Sequence, residues 1–592
     1  MSSATAVFAR AGDSGAGQAD GWTPAQLNAA LVRYLMYICA IVSALTITWR
    51  AISVLVRYVR TVTCLTNDTQ RYFAKPSSNY SWLKKNLLYA PMIRKRHNRE
   101  FQLSSAINVG TLPTRLQFLF LVAYLATNVV FCVINVSFAA SFDDTARLIR
   151  SRTGTLSVVN MIPLFIMAGR NNPLCKLLGV SFDTFNLMHR WFGRIVVLEG
   201  VAHVVAYWLG SAYKTGFLAA FTKSYTSPPF LPGFIAVIAF VVIFFQASSI
   251  ARHAFYESFK ILHILLAVTA VVGLYYHLLM IAPNTLTYLK WLYPAIVAWA
   301  LDRFIRMARV MYHNLGHGGT KTLVEALPGN AVRVTVTMAR PWTFRPGQHA
   351  YLYLPSISFW QSHPFSLAWS EESESFENGD KVAMNRNDIL GKGKTTMSFI
   401  IRARTGMTNA LYQRAAEARD GRLTTTCLVE GPYGGEHPLH SYGTAVLFAG
   451  GVGITHQVPH VRDLVAGFAN GTVATRKVVL VWVIQSPEHL EWIRPWMTQI
   501  LAMDRRREIL RIMLFVSRPR STKEIHSPSS TVQMFPGRPN IETLLSMEME
   551  NQIGAMAVTV CGPGALSDEV RQAVRRRQYS GSVDFIEEAF SW

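Results

Sequence analysis

Two apolar stretches constrain this chain more than anything else in it, because each carries two histidines at the same interval. Residues 186–207 read NLMHRWFGRIVVLEGVAHVVAY and hold His189 and His203. Residues 256–277 read YESFKILHILLAVTAVVGLYYH and hold His263 and His277. The interval is fourteen residues in both. At about 100° per residue, fourteen residues return to within roughly 40° of the starting face after a rise of roughly 21 Å. Each stretch then points two imidazoles one way at two depths. Two such helices side by side give two stacked bis-imidazole sites, and haem iron accepts axial histidine. A single histidine in an apolar helix is most often a hydrogen-bonded core residue. Two pairs on one interval argue for function, since ionisable groups inside a membrane are costly.

Half of the 592 residues are apolar and 16% are charged, with the charge concentrated in the N-terminal loops and the C-terminal half. That asymmetry predicts a membrane part joined to a soluble part. The net charge of +23 is weak support for nucleic acid. Many of the basic residues flank apolar spans, where a positive cytoplasmic face is expected. The six cysteines are scattered without a CxxC, which fits a reducing compartment for the soluble part. The first thirty residues show no signal-peptide pattern.

Seven spans are expected by length, near 31–56, 114–138, 155–169, 184–209, 231–249, 258–280 and 286–308. Basic residues crowd 57–99, the loops around Arg170 and Arg252, and the end of the last span at Arg303, Arg306 and Arg309. The positive-inside rule makes these cytoplasmic. The N-terminus is then outside and everything after about residue 310 inside. With this orientation His189 and His263 share the inner level, and His203 and His277 the outer. Arg190 and Arg194 are either lipid-headgroup contacts or partners for propionates of the inner haem. The sequons at Asn67, Asn79 and Asn135 fall in a cytoplasmic loop or a span and are discounted.

After residue 320 the pattern changes to short strands. Val332–Val336 alternates, Tyr351–Leu354 is a compact run, and His363-Pro-Phe-Ser opens a strand expected over Phe365–Trp369. Residues 371–396 read as a polar loop. A strand over Ser398–Arg404 leads through Thr405-Gly-Met-Thr into a helix from about Asn409, a turn that suits a phosphate. Leu428–Gly435 closes this segment as strand and turn. Next, Ala445–Ala449 is a buried-type strand followed by Gly450-Gly-Val-Gly-Ile-Thr and a helix. That is the dinucleotide-binding arrangement in outline, though not GxGxxG. Val478–Ile484, Arg511–Val516 and Ala557–Val560 are further strands, Pro487–Met503 a helix, and 518–539 a loop. Alternating strands and helices predict a parallel sheet, with Cys561-Gly-Pro-Gly at a strand end where ligands bind. Arg518 and Arg520 are candidates for the extra phosphate of NADPH.

Taken together these motifs resemble the fungal ferric/cupric reductase family, related to the NADPH oxidases. The resemblance runs from about residue 110 to the C-terminus. It rests on Arg152-Thr-Gly, Ala168-Gly-Arg-Asn-Asn, His189-Arg-Trp-Phe-Gly-Arg, His203, Tyr256-Glu, His263 and His277 in the membrane half. In the soluble half it rests on Arg345-Pro-Gly-Gln-His, His363-Pro-Phe-Ser, Gly406-Met-Thr, Glu430-Gly-Pro-Tyr-Gly, Gly450-Gly-Val-Gly-Ile-Thr, Cys561-Gly-Pro-Gly and the terminal Glu587-Glu588 with Phe590 and Trp592.

The resemblance implies a multi-domain fold: a transmembrane haem domain at 31–310 behind an outer tail at 1–30, a flavodoxin-reductase-like β-barrel FAD domain at 320–437, and an α/β NADPH domain at 440–592. It implies two b-type haems, FAD and NADPH. His363, Pro364, Phe365 and Ser366 would contact the isoalloxazine. Arg402, Gly406 and Thr408 would meet the flavin pyrophosphate, and Phe590 or Trp592 would cover the flavin. Gly450, Gly451, Gly453, Ile454 and Thr455 would cradle the NADPH phosphates, with Cys561, Gly562 and Pro563 beside the nicotinamide and Cys561 in a catalytic role. The implied activity is NADPH-dependent reduction of ferric or cupric chelates outside the cell for metal uptake. It would occur at the plasma or a vacuolar membrane, with possible coupling to a metal permease. Superoxide formation is the alternative within the enzyme class, and a haem sensor or scaffold the alternative outside it. The role of residues 1–110 is open.

Overall fold

The computed structural model describes residues 22–93, 101–102, 108–110, 112–282, 288–316, 319–359, 361–373, 394–504, 508–519, 527 and 529–588. They form two compact units. One comprises Met1–Trp49, Gln102–Val109 and Gln117–Arg303; the other comprises Arg50–Phe101, Gly110–Leu116 and Phe304–Trp592.

The first unit is helical. Its main helices are α1 (Pro24–Cys64, as far as Trp49), α2 (Arg115–Val133), α3 (Phe142–Ala168), α4 (Phe182–Thr215), the short α5 (Phe217–Thr226), α6 (Leu231–Gln246), α7 (Tyr256–Ile281) and α8 (Leu289–Asn314, as far as Arg303). Side-chain caps start two of them: Ser141 accepts from the Asp144 amide, and Ser181 from that of Thr184. Among the described residues, α1, α2, α4 and α7 are long and apolar enough to cross a membrane. A fifth crossing is added if α5 and α6, bent by 97°, count as one. Seven was the expectation. The third expected span is the apolar end of α3, whose first half carries Asp143, Asp144, Arg147, Arg150 and Arg152. The last lies in α8, which carries Asp302, Arg303, Arg306 and Arg309.

The polar residues of α3 are tolerated because the helix is enclosed by its neighbours: Leu156, Val159 and Met161 are almost wholly buried. Asn160 donates to Asn128 Oδ1 at 2.8 Å and to Glu199 Oε2 at 2.9 Å, and accepts from the Tyr124 hydroxyl at 2.6 Å. This network joins α2, α3 and α4 in the bundle interior, where an unmatched polar group would be costly. Apolar side chains on the outer faces, such as Leu45, Leu198, Leu265 and Val272, stay exposed, as lipid-facing positions should.

The second unit holds three sheets. Strands β1 (Lys321–Leu327), β2 (Ala331–Thr337), β3 (Gln348–Tyr353), β4 (Ser362–Ser366), β5 (Trp369–Ser373), β6 (Lys394–Arg402), β7 (Arg422–Thr425) and β8 (Leu428–Gly434) make two antiparallel sheets, ordered β5-β6-β2-β1-β7 and β8-β3-β4. Helix α9 (Met407–Glu417) follows β6. The run expected as one strand over Phe365–Trp369 is two strands in different sheets, and His363 to Ser366 all lie in β4. Of the expected loop at 371–396, residues 371–373 and 394–396 belong to β5 and β6, and 374–393 lie outside the described residues.

The third sheet is parallel throughout and six-stranded, β12-β11-β10-β9-β13-β14, built from β9 (Thr444–Gly450), β10 (Lys477–Ile484), β11 (Leu510–Val516), β12 (Val532–Pro536), β13 (Met556–Cys561) and β14 (Val583–Glu588). Its four inner strands are almost continuous apolar runs, as strands covered on both faces must be. Strand β12 sits inside the segment expected as a loop over 518–539. The helix expected over Pro487–Met503 is a 3₁₀ turn, Pro487–Trp492, and a helix, Arg494–Met503. Residues 57–99 were expected as a loop. Instead α1 continues to Cys64, and short helices at Arg71–Ala74 and Ser78–Leu83 and a π-helical turn at Lys84–Leu88 follow.

Candidate cofactor sites

Helices α4 and α7 bring the four histidines together as the fourteen-residue interval requires. The rings of His189 and His263 have centroids 6.3 Å apart and planes at 69°. Those of His203 and His277 are 6.4 Å apart at 83°. Two imidazoles on opposite sides of one metal, at about 2 Å per bond, put their centroids about 6 Å apart. Both pairs therefore fit a bis-imidazole haem. Among the described residues no group of three or more His, Cys, Asp or Glu gathers to hold a metal. An iron already held by a porphyrin asks only for two axial ligands.

The outward nitrogens fit as well. His189 Nδ1 bonds the Leu164 carbonyl at 2.9 Å, His203 Nδ1 that of Arg150 at 2.8 Å, and His277 Nδ1 that of Pro229 at 2.8 Å. Each bond fixes the ring and leaves Nε2 for a metal. His263 Nδ1 is buried with no such partner. Two glycines make room at the outer pair. A Cβ on Gly154 would lie 2.5 Å from His203 Nδ1, and one on Gly233 2.5 Å from His277 Nδ1. The Arg152-Thr-Gly motif thus contains a contact the sequence did not disclose, and Gly233 carried no signal beyond its place at the start of a span. Arg194 stacks over Trp191 at 4.4 Å.

The flavin-site candidates lie on edge strand β4 of the three-stranded sheet and at the end of β6 in the five-stranded one. His363 to Ser366 form β4, paired with β3. Arg402 ends β6 and reaches Gln485, just beyond β10 of the parallel sheet, at 3.4 Å. Gly406 stands before α9 with φ 61°, and a Cβ there would meet nothing within 4 Å. No side chain caps α9. An open, uncapped helix start with Arg402 nearby fits a diphosphate. Thr408 bonds locally, accepting from the Arg404 amide at 3.1 Å. Phe590 and Trp592 lie outside the described residues. Sequence reasoning gave no role to Glu430. It is fully buried, accepts from Arg306 Nε at 2.7 Å and from the Tyr433 hydroxyl at 2.7 Å, and ties α8 to β3 and β8.

The nucleotide-site candidates converge at the C-terminal ends of β9 and β13. Here glycine is required by close approach. A Cβ on Gly453 would lie 2.1 Å from the Cys561 carbonyl oxygen, one on Gly450 2.5 Å from Pro563 Cδ, and one on Gly562 2.9 Å from Gly450 Cα. Gly451 has φ 54° with open space on its Cβ side, and its carbonyl accepts from Trp482 Nε1 at 2.9 Å. Ile454 opens the following helix, Ile454–Ala469, and the Thr455 hydroxyl bonds the Val452 carbonyl at 2.9 Å. The arrangement fits a dinucleotide phosphate. Cys561 is buried; burial, with the Glu588 carboxylate nearby, holds its thiol far above the usual range. Arg518 is exposed, and Arg520 lies outside the described residues.

Comparison with known proteins follows the same order along the chain. Residues 153–274 match the family described as ferric reductase like transmembrane component, 317–384 an FAD-binding domain, and 442–575 the ferric reductase NAD binding domain. The chain is 27% identical over 541 residues to ferric reductase transmembrane component 3 of Saccharomyces cerevisiae, covering 85% of this chain and 71% of that one. It is 26% identical over 544 residues, with the same coverage, to ferric/cupric reductase transmembrane component 2 of that yeast. A probable cell surface ferric reductase of Aspergillus oryzae is 27% identical over 351 residues, 58% of this chain and 44% of that one. The chain thus carries ferric reductase transmembrane, FAD-binding and ferric reductase NAD-binding domains in order, and over most of its length it is similar to fungal ferric reductase membrane proteins.

Proposed function

We propose that the chain carries electrons from cytosolic NADPH, through FAD and two haems, to a ferric or cupric chelate on the far side of a membrane. The observation that carries this reading is the two histidine pairs, each at the separation one bis-imidazole metal needs, stacked on the same two helices. FAD accepts a hydride and releases electrons singly, and haem iron takes one at a time; that chemistry is the cofactors' own.

The chain binds and orients. Gly450, Gly451, Gly453, Ile454 and Thr455 hold the nucleotide phosphates, with Gly562 and Pro563 against them. Cys561, protonated and packed, shapes the nicotinamide end rather than acting as a base. Arg402, Gly406 and Thr408 seat the flavin diphosphate, and His363, Pro364, Phe365 and Ser366 face its ring. Phe590 or Trp592 covers that ring. His189 and His263 hold the inner haem, with Arg190 or Arg194 for its propionates; His203 and His277 hold the outer one. Seven crossings, counting α3, α8 and the bent α5–α6 pair, put residues after about 310 in the cytosol. The membrane is the plasma membrane, and the reduced metal passes to a separate permease.

In membranes reconstituted with FAD and haem, His203→Ala or His277→Ala is expected to abolish external chelate reduction while NADPH still bleaches the flavin. Full external reduction in either variant would overturn the scheme. Assay of superoxide with and without ferric chelate identifies dioxygen if it is the true acceptor.

A further inference from the structure

The end of the helical unit beyond His203 and His277 carries more positive charge than an outer end calls for, since basic residues gather on the cytoplasmic side of membrane helices. Arg147 and Arg150 lie in the first half of α3, Lys214 in the last turn of α4, and Lys223 on α5. Two of these four are matched. Arg147 pairs with Asp144 at 2.6 Å, and Lys214 with Asp143 at 2.7 Å. Among the described residues, Arg150 and Lys223 form no ion pair. A cation left unmatched at this end needs a reason other than topology.

These two cations flank a pair of aromatic rings. The Arg150 guanidinium lies 6.0 Å from the centre of the Tyr207 ring, that ring stands 5.2 Å from the ring of Phe230, and Lys223 Nζ lies 5.6 Å from the centre of Phe230. All four residues belong to the helical unit. The row adjoins both outer-level histidines. The Arg150 carbonyl is the one bonded by His203, and the carbonyl bonded by His277 is that of Pro229, next to Phe230. Tyr207 follows His203 by one turn of α4. Its hydroxyl is buried without a hydrogen bond of normal geometry, Ser211 on the same helix being its polar neighbour. Lys223 is exposed and also lines a cleft of about 730 Å³ with Thr215, Phe217 and Thr222, a volume within the range of small-molecule sites.

We propose that Arg150, Lys223 and Tyr207 bind the electron acceptor, and that the acceptor they select is a small anionic carboxylate chelate of ferric iron, of the citrate type. The proposal rests on the electron path given above and deepens it. No group of three or more His, Cys, Asp or Glu gathers among the described residues, so the metal is recognised through its chelator and not by direct ligation. Two unmatched cations take carboxylates through charge-assisted bonds, and the Tyr207 hydroxyl donates to a third oxygen. The same charges repel a cationic complex or a bare metal ion. A chelate held on this row lies beside the outer histidine pair, where one electron turns iron(III) into iron(II) with no proton or bond change asked of the protein.

The test uses the full-length chain with FAD and haem in lipid nanodiscs. Equilibrium dialysis against gallium citrate, which is redox-inert, reads binding alone. Lys223→Gln and Arg150→Gln should each weaken it about tenfold, Tyr207→Phe less, and Lys223→Arg should restore most of it; added salt should weaken it in the parent. With NADPH as donor, the KM for ferric citrate relative to that for hexaammineruthenium(III), a cationic acceptor, should rise about tenfold in the two charge-removing variants. Lys223 is exposed, so its variants read the site even if Arg150→Gln folds poorly. Unchanged gallium citrate binding in Lys223→Gln would overturn the proposal, as would an equal loss with both acceptors. So would a shift in haem content or haem potential with citrate binding intact, because the two cations would then be serving haem propionates. A parent chain that reduces neither acceptor would sink the electron path itself, and the dialysis result would still decide the anion site.

Discussion

The two histidine pairs are alike in separation and unlike in bracing. At the pair formed by His203 and His277, both Nδ1 atoms bond a backbone carbonyl and both rings are packed against a glycine. At the pair formed by His189 and His263, only His189 has a carbonyl partner, and Gly193, one turn beyond His189, has ordinary contact room, 3.6 Å from Leu164 Cδ1 for an added Cβ. A ligand fixed by a second bond is pre-set for the metal; an unfixed one must be ordered when the metal binds. On the haem reading proposed above, the outer site would be set before loading and the inner one would complete itself on loading.

The largest effect that sharpens this contrast is steric. Gly154→Ala or Gly233→Ala should remove the outer haem, halving haem per flavin, because the new methyl would lie 2.5 Å from an imidazole nitrogen. Gly193→Ala should leave haem content unchanged. Equal loss in all three would break the comparison. A middle effect is kinetic. Compared in His277→Ala and His263→Ala chains, which keep one intact pair each, haem should pass to a scavenger about tenfold faster from the inner site. Equal release rates would show that bracing is irrelevant.

The smallest effect carries the same contrast into the reductase unit, where it is legible in pH. His440 bonds Asp463, and this bond raises its pKa against a smaller opposing effect of burial. Its contribution to stability is present below about pH 6.5 and is lost as pH rises through the raised value. His456 is buried, with a Nδ1 that has no partner, and burial lowers its pKa to about 4, helped by His437. Its contribution has the opposite sense: full above about pH 6.5, lost as pH falls toward the depressed value. Melting curves should show His440→Ala flattening the alkaline side and His456→Gln the acid side. The same flattening in both would contradict the assignment.

Much of this was readable from residues alone, and the limits have physical causes. The fourteen-residue interval put the two histidines of each helix on one face because a helix has a known period, and the basic loops then paired His189 with His263 and His203 with His277. Gly450 to Thr455 announced a nucleotide turn because glycine is needed where backbones approach closely. Strand β12 was missed because an edge strand needs only one partner and shows little apolar patterning. The expected spans in α3 and α8 do not register by length and composition alone because both helices carry charged residues beside their apolar stretches. The role of residues 57–93 was unreadable because their partners are distant: Arg60 meets Ser441 across 381 positions and Lys84 meets Val583 across 499. Gly154 was quoted as a motif without its reason, since His203 lies on another helix.

One consequence of the histidines' placement concerns the bilayer itself. A thicker or thinner membrane is met by helix tilt and local lipid deformation. Both histidines of each level come from α4 and α7, and the two levels are separated only by the rise along those helices. Tilting the pair moves both levels together and leaves their spacing at about 21 Å along the helix axis. In the electron path proposed above, the hop between the two histidine levels would therefore behave as a gauge block carried inside the lipid, its length insulated from changes in membrane composition.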